Sequence, residues 1–588
     1  MSLINLSFKG IKMLRYFSYL WLFLLSMFLQ AKENNISDFE LSGIKGQLLY
    51  NVSFYLAKVK NESATKQLKR HSIDQIKTSL KALGYYEPKI TLSFEQDGEV
   101  QDKLVIMKVD IEPGTEVRIA KLNYHLQGEG KDDNALTQVI KKLPLVQGDV
   151  INHAIYEKSK SMIESQLLEL GYFDAQWQVN ELGISLKNHS AIVTFDINTG
   201  PRYTYGPIVI SSDTPAVKYI RSLASFKTGE AYQAHIISQY NLDIASTPYF
   251  KSVRVYADIE HRENKQIPIK VDVLHKPANS YEIGGGFSTD LGAKARIKWS
   301  KPWVGTDGHY FETDAVVTDY EKEFEFAYTV PVDDPVDDVW RYAFGYKSEN
   351  NSHTQKYIRT LTTQLQRQWV TQSNWVRTAF IKHEREDFEI ADDPGKTEML
   401  LPGISFAKKK TKGGTTPFWG NQWLLSAEVG LDGVLSDTDL LKLQFQTALL
   451  RTYRNNHLFY VKSKLGAILV EDINDVPASM RFFAGGDQSI RGFKYESISP
   501  ADEKGNLVGG KYLVTGTLEY NYQFAPSWRA ALFVDGGTST NDFSEDIEVG
   551  TGIGIRWLTP IGPIRIDHAW AITDNNNTRF SVTIGPEI

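Results

Sequence analysis

Three charged residues near the C-terminal end of the chain have the types and spacing of a buried ion-pair cluster. Glu519 and Asp535 lie in two segments, Lys511–Phe524 and Trp528–Gly537, in which apolar and polar residues alternate. This period of two predicts β-strands with one apolar and one polar face. If the break between them is a tight turn, the two carboxylates are neighbours on the polar face and repel each other unless a cation joins them. The fork of an arginine can donate to both carboxylates, and Arg491, in a glycine-rich segment upstream, is the candidate.

Four motifs around these residues resemble those of a superfamily of outer-membrane assembly factors. Ile490–Phe493 resembles the (V/I)RG(F/Y) motif of that family's long sixth loop, and Phe533–Gly537 matches its FxDxG strand motif. Glu519 takes the position of the acidic partner on the preceding strand, and Gly552–Pro563 resembles the penultimate strands. The resemblance assigns six residues to a loop clamp that ties the long loop to the barrel wall: Arg491, Gly492, Phe493, Glu519, Asp535 and Gly537.

The length of the chain and its last residues, 585–588, are most similar to the TamA branch of this superfamily, the outer-membrane subunit of a translocation and assembly module. The resemblance implies periplasmic POTRA modules ahead of a barrel that opens laterally between its first and last strands. It also implies unfolded outer-membrane proteins and autotransporters as clients. A long periplasmic partner anchored in the inner membrane, called TamB in that family, is the implied companion.

The composition limits the class of protein. A chain of 588 residues allows three or four domains, and a net charge of −6 without a strongly basic stretch gives little support to nucleic-acid binding. The chain has no cysteine, which excludes disulfides and thiolate metal sites. An aromatic content of 12% suits a membrane barrel with polar loops. We expect no cofactor and no metal site.

Residues 1–31 are predicted to be a secretory signal peptide. Lys9, Lys12 and Arg15 precede the apolar run Tyr16–Leu29, and cleavage is expected near Ala31. The alternative is an uncleaved membrane anchor. A cleaved signal followed by a barrel predicts a location in the outer membrane of a Gram-negative cell, with the modules in the periplasm.

Residues 36–276 repeat one pattern, in which a helix, a glycine or proline, an aromatic pair and a strand follow one another. Gly84, Gly171 and Pro248 mark the three copies. This period indicates an array of small modules, which resemble POTRA domains and are placed at 36–115, 116–202 and 203–276. An open sheet edge in such a module could bind an extended client strand, and the alternative is that the modules are spacers.

Residues 277–588 alternate in segments of about ten residues and predict a transmembrane antiparallel β-barrel of about sixteen strands, with the RGF motif on a long loop at 471–510. The expected fold is therefore α+β modules followed by a barrel. Five tryptophans are expected at the membrane interfaces: Trp299, Trp303, Trp419, Trp423 and Trp557.

Closure of the barrel requires the first strand, 281–288, to pair with the last, 578–585. A run of glycines weakens a strand, and a proline after the last strand cannot donate a ladder hydrogen bond. The glycine run could instead only relieve crowding at a barrel corner, but the family resemblance favours a weak lateral seam. The predicted seam residues are Ile283, Gly284, Gly285, Gly286, Val582 and Gly585.

The leading interpretation is an outer-membrane assembly factor whose seam offers strand edges, and a locally thinned lipid bilayer, to clients. The 12 histidines are scattered without metal-ligand spacing, so we expect no enzyme activity. The alternatives are a two-partner-type secretion pore and a passive channel. Three modules argue against the former, which carries two, and the presence of any module array argues against the latter.

Overall fold

The computed structural model describes residues 36–60, 62–96, 105–351, 356–390, 393–542, 546–560, 562–575 and 577–585. The predicted signal peptide and the last residues of the chain, 586–588, lie outside this described part. Within it, none of the helices is both long enough and apolar enough to cross a membrane.

Three three-stranded sheets come first along the chain, each with its third strand in the centre. Their strands are β1 (Ile36–Ser42), β2 (Lys89–Gln96), β3 (Val105–Glu112), β4 (Arg118–Gln127), β5 (Gln176–Ser185), β6 (Ser190–Asn198), β7 (Thr204–Ile210), β8 (Phe250–Ala257) and β9 (Gln266–His275). Their helices are α1 (Gly46–Leu56), α2 (Lys66–Lys81), α3 (Asn134–Lys141), α4 (His153–Glu169), α5 (Val217–Ser222) and α6 (Ala234–Ser246). In the first two sheets the central strand is parallel to the first strand and antiparallel to the second.

Local sequence signals explain the helix–glycine–aromatic repeat. Thr65 and Asn152 cap the N-termini of α2 and α4 with their side-chain oxygens. Gly84 and Gly171 follow these helices with φ of +91° and +81°, a conformation that favours glycine after a helix end. The chain then turns back so that the next aromatic residue, such as Tyr172, is buried in the module core.

The central strand of each of the first two modules lies between the two edge strands of its sheet and buries alternate side chains. This period-two burial is the core face of each small sheet. The buried residues are Val105, Met107, Val109 and Ile111 in β3, and Ala191, Val193, Phe195 and Ile197 in β6.

The chain forms two compact units. One extends up to Pro207 and includes Phe226–Ile236 and Ala257–Pro268, and the other contains Ile208–Ser225, Ile237–Tyr256 and Ile269–Ile588. Residues of the third sheet therefore contribute to both units.

Sixteen antiparallel strands, β10 to β25, form a closed barrel in which each strand pairs with its sequence neighbours. They are β10 (Ser280–Ser288), β11 (Gly292–Val304), β12 (His309–Val317), β13 (Glu321–Pro331), β14 (Asp338–Asn351), β15 (Lys356–Val370), β16 (Val376–Ile390), β17 (Asp393–Lys412), β18 (Trp419–Gly430), β19 (Leu440–Tyr453), β20 (His457–Leu469), β21 (Tyr512–Ala525), β22 (Trp528–Thr540), β23 (Glu548–Thr559), β24 (Gly562–Ala571) and β25 (Asn577–Ile584). The predicted fold class, modules followed by a barrel of sixteen strands, is confirmed.

Trp303, one of the five tryptophans expected at the membrane interfaces, packs against two other aromatic rings. Its ring packs against Tyr249 and Tyr219, with ring centroids 4.8 and 6.4 Å apart. The two tyrosine hydroxyls donate hydrogen bonds to the backbone carbonyls of Gly308 (2.8 Å) and Asp307 (2.5 Å), in the turn after β11. Trp303 is half-buried and forms an aromatic cluster with these two tyrosines.

Candidate functional site

The long loop between β20 and β21, residues 470–511, holds the RGF motif against the barrel wall. Gly492 has φ of +101°, and a Cβ there would lie about 3 Å from backbone atoms of Trp570 and Ala571 on β24. Phe493 is buried in an apolar cluster that includes Ile490 and Ala571. The glycine therefore permits close approach of the loop, and the aromatic ring fills the space beside it.

The strand register places the two predicted carboxylates inside the barrel. Glu519 pairs with Phe533, and Asp535 lies two residues further along the same inner face of β22. Asp535 is fully buried and Glu519 nearly so, whereas Leu518 on the opposite face is exposed. Alternation along the strands thus delivers both acidic side chains to one place.

Arg491 donates to both carboxylates. Its Nε and Nη2 bind the two oxygens of Asp535 at 2.7 and 3.0 Å, and its Nη1 binds Glu519 Oε2 at 2.7 Å. The backbone N–H of Arg491 also donates to Asp535, at 3.1 Å. The guanidinium carbon lies 3.4 Å from the centre of the Phe533 ring, so an aromatic face covers the cation.

Two further residues, which we did not predict, complete the cluster. Arg556 on β23 is fully buried and donates to Glu519 at 2.9 Å and to Asp567 on β24 at 2.6 Å. Asp567 also accepts from Arg491 at 3.4 Å. The alternation of β23 carried a signal for this: Arg556 lies between Ile555 and Trp557, which are exposed, so its side chain must point inward.

The completed network contains two guanidinium groups and three carboxylates, with a net charge of −1. Asn521 adds a hydrogen bond to Glu519 at 3.1 Å. Buried charges are stable only when paired and hydrogen-bonded, and this arrangement meets that condition for each carboxylate. The network therefore fixes the position of the loop rather than presenting a free nucleophile or base.

Small residues on the wall let the loop approach. A Cβ at Gly550 would overlap the carbonyl oxygen of Arg491, and one at Gly537 would overlap that of Val514. Gly537, the last residue of the strand motif, thus keeps β22 close to β21. Gly550 was not predicted. In the described part of the chain, no group of His, Cys, Asp or Glu side chains could hold a metal ion.

The seam between the first and last strands is short. In the described part of the barrel, β10 and β25 are paired only at Ser288 and Thr583. Beside that pair, Thr289 donates its N–H to the carbonyl of Val582 at 3.3 Å. These contacts lie at the barrel end where β10 turns into β11, which we call the loop end because the loop 470–511 starts there.

The remaining predicted seam residues lie outside this overlap. Gly284, Gly285 and Gly286 pair with β11 on one side, and Ile283 is 84% exposed. Gly585 donates its N–H to Pro563 at the start of β24, at 2.9 Å. Most of the seam edge of β10 therefore has no strand partner among the described residues of β25.

The fold and the cluster define a class of protein: POTRA-like modules followed by a sixteen-stranded barrel that binds its own long loop through buried ion pairs. Family models agree with this description. Residues 277–588 match the Omp85 superfamily domain, residues 38–111 match POTRA domain TamA domain 1, and residues 118–200 match the surface antigen variable number repeat of the POTRA type. The chain belongs to the Omp85 superfamily.

Two relatives illustrate the similarity. The outer membrane protein assembly factor BamA of Nitratidesulfovibrio vulgaris is 22% identical over 533 residues, which is 85% of this chain and 64% of that protein. The chain thus spans less than two thirds of this relative. The crystal structure of Haemophilus ducreyi BamA lacking POTRA domains 1–3 has a TM-score of 0.53 at 15% identity, covering 94% of this chain and 99% of that one. This likeness concerns the fold.

Proposed function

We propose that the protein is an outer-membrane assembly and translocation factor that inserts or secretes other outer-membrane proteins, autotransporters among them, through the seam between β10 and β25. The modules then face the periplasm, after removal of the predicted signal peptide, 1–31. The observation that carries this proposal is the seam, in which β10 and β25 share one residue pair.

The exposed edge of β10 supports strand capture. Along Ser280–Phe287 the backbone groups that face the seam have no strand partner among the described residues, and a sheet edge of this kind pairs readily with another strand. Recognition through backbone hydrogen bonds tolerates many side-chain sequences, which suits a protein that handles varied clients. Unpaired backbone groups in lipid cost several kcal/mol each, so a partner strand is strongly favoured there.

The clamp has a structural role in this proposal, and no catalytic step is assigned to the protein. Its charged groups are all engaged in ion pairs, and they hold the loop against the wall formed by β21–β24. The protein works without a cofactor or a metal ion.

Disulfide trapping tests the proposal, because the chain has no native cysteine. One cysteine replaces Ile283 on β10, and a second is placed in the terminal strand of an autotransporter client. We expect a cross-link during secretion that disappears as the client matures. Ile381 on β16 is the matched control, because it is also an exposed apolar residue on a barrel strand.

Equal trapping at Ile283 and Ile381 would show that the client does not select the seam. No trapping at any position of β10, together with a steady ion conductance, would favour the passive channel.

We also propose that the protein is of the TamA type and engages a TamB-like, inner-membrane-anchored periplasmic protein through its first module. The match of residues 38–111 to the first TamA POTRA domain supports this. A photo-crosslinker at Ser93, on the edge strand β2, should capture that protein, whereas one at Lys77, on the exposed face of α2, should not. If neither position gave a cross-link, the proposal that the first module binds a TamB-like protein would be contradicted.

A further inference from the structure

The two strands at the seam are staggered along the barrel. Ser288, the last residue of β10, pairs with Thr583 near the end of β25. The earlier residues of β25, such as Arg579, therefore lie beyond the end of β10, beside the turn that contains Thr289 and Asp290. A single residue pair adds little to the stability of the seam at the loop end, so contacts between side chains are needed to hold the two strands together there.

The long loop reaches this turn. The backbone N–H of Asp487 donates to Asp290 Oδ2 at 2.5 Å, and the carboxylate of Asp487 accepts from the hydroxyl of Thr289 at 2.7 Å. Thr289 in turn hydrogen-bonds across the seam to Val582, through its N–H at 3.3 Å. The loop thus binds the end of the first strand through a backbone donor and a side-chain acceptor.

The last strand binds the same carboxylate. Arg579 on β25 donates through Nη2 to Asp290 Oδ1 at 2.8 Å. The side chain of Asp290 is only 6% exposed, and that of Arg579 is 24% exposed. One oxygen of Asp290 therefore holds the loop, and the other holds the last strand, in a site largely removed from water.

Glycine at position 486 makes this approach possible. Its φ is +96°, and a Cβ there would lie 2.6 Å from Asp290 Oδ2 and 3.1 Å from the Cα of Tyr495. A side chain would separate the loop from Asp290. The positive φ of Gly486 and its lack of a side chain thus allow the loop to contact Asp290 at the seam.

We propose that Asp290, Asp487 and Arg579 form a latch that holds the first and last strands together at the loop end. The seam then opens from the opposite end, where the edge of β10 is free. This latch regulates the lateral opening on which the proposed function rests. Loss of any of its charge-assisted hydrogen bonds shifts the seam toward the open form.

The test measures the seam directly, in purified full-length protein without a client. Cysteines replace Ser288 and Thr583, and the rate of disulfide formation between them reports the closed seam. We expect Asp290→Asn and Arg579→Gln each to lower this rate about tenfold, because each removes a charge-assisted hydrogen bond. Glu503→Gln, an exposed carboxylate of the same loop, is the control and should leave the rate unchanged.

A charge exchange, Asp290→Arg with Arg579→Asp, should recover part of the lost rate. Folding is checked by the faster migration of the unheated barrel in a detergent gel. If Arg579→Gln does not fold, Asp487→Asn replaces it and should also lower the rate. This change removes the charge of the carboxylate that accepts from Thr289, but it keeps the backbone N–H that donates to Asp290. Wild-type rates in the folded Asp290 and Arg579 variants would overturn the latch. Because no client is present, the outcome is independent of whether the protein assembles clients.

Discussion

At the scale of single residues, Arg491 compensates more buried charge than any other side chain of the loop clamp. Its removal by Arg491→Ala leaves Asp535 without its bidentate partner, and Glu519 then keeps its ion pair with Arg556. We expect a loss of roughly 3–5 kcal/mol in the free energy of unfolding if the site is dry, and less if water enters. Urea unfolding of the barrel, followed by gel migration, measures this loss.

Neutralising one carboxylate should offset part of that loss. Arg491→Ala combined with Asp535→Asn leaves one buried charge fewer than Arg491→Ala alone. Lys494→Ala, an exposed cation of the same loop, controls for loss of charge. A wild-type unfolding midpoint for Arg491→Ala would show that the clamp does not stabilise the barrel.

Arg556 provides a second prediction at this scale. Among the described residues, Arg556→Ala leaves Asp567 with one ion pair, the 3.4 Å contact to Arg491, and its cost should be about 3–5 kcal/mol in a dry site. Because Arg491 and Arg556 share Glu519 and Asp567, their effects should not add. A double-mutant cycle measures the coupling, and strict additivity would contradict a single network.

At the scale of elements, the first residue of α4, His153, contacts residues of the first module. Tyr86 O–H and His153 Nε2 are 2.7 Å apart, and the backbone N–H of His153 donates to Ala82 at 2.9 Å. Burial lowers the pKa of His153, with a smaller contribution from Lys81, while Glu157 opposes the shift. The folded state therefore disfavours the protonated ring.

This depressed pKa predicts a pH dependence. The unfolded state binds more protons than the folded state near the ordinary histidine pKa of 6.5, so stability falls as the pH drops through 6.5. The amide protection factors of the Ala82 and His153 region, which are corrected for the intrinsic pH dependence of exchange, should be lower at pH 5 than at pH 7.5. His153→Gln should flatten this difference, whereas the exposed His71→Gln should not. Equal protection factors at both pH values in the unmodified protein would contradict the prediction.

The elements themselves were largely predictable from local patterns. Alternation located the strands of the barrel, and the helix–glycine–aromatic repeat located the modules. The start of α2 shows how local such signals are, because the side chain of Thr65 caps the helix by accepting from the N–H of Leu68. Local signals of this kind act within a turn or two and are therefore visible in the sequence.

At the scale of the whole molecule, the path of the long loop was not predictable in the same way. Its motif identified Arg491, Glu519 and Asp535, but Arg556 and Asp567 join them only through the register of four consecutive strands. The stagger of the seam likewise depends on closure of the entire barrel. These are long-range contacts, and no local pattern in one sequence specifies them.

The loop also links parts of the barrel wall on the two sides of the seam, and this gives the last prediction. Arg491 fixes it to β21–β24, and Asp487, a short distance upstream, reaches the turn after β10. Loss of the clamp should therefore weaken the latch as well. Arg491→Ala should slow disulfide formation between cysteines at positions 288 and 583, although Arg491 touches neither.

Because both changes act through the same loop, adding Asp290→Asn to Arg491→Ala should slow the reaction less than the product of their separate effects. Lys494→Ala should change neither rate. If the folded Arg491→Ala protein forms the disulfide at the wild-type rate, the clamp and the latch are independent, and the seam is set by the strands and the Asp290–Arg579 pair alone. A slowed rate with a non-additive double variant would instead make the loop the mechanical connection between the wall and the seam.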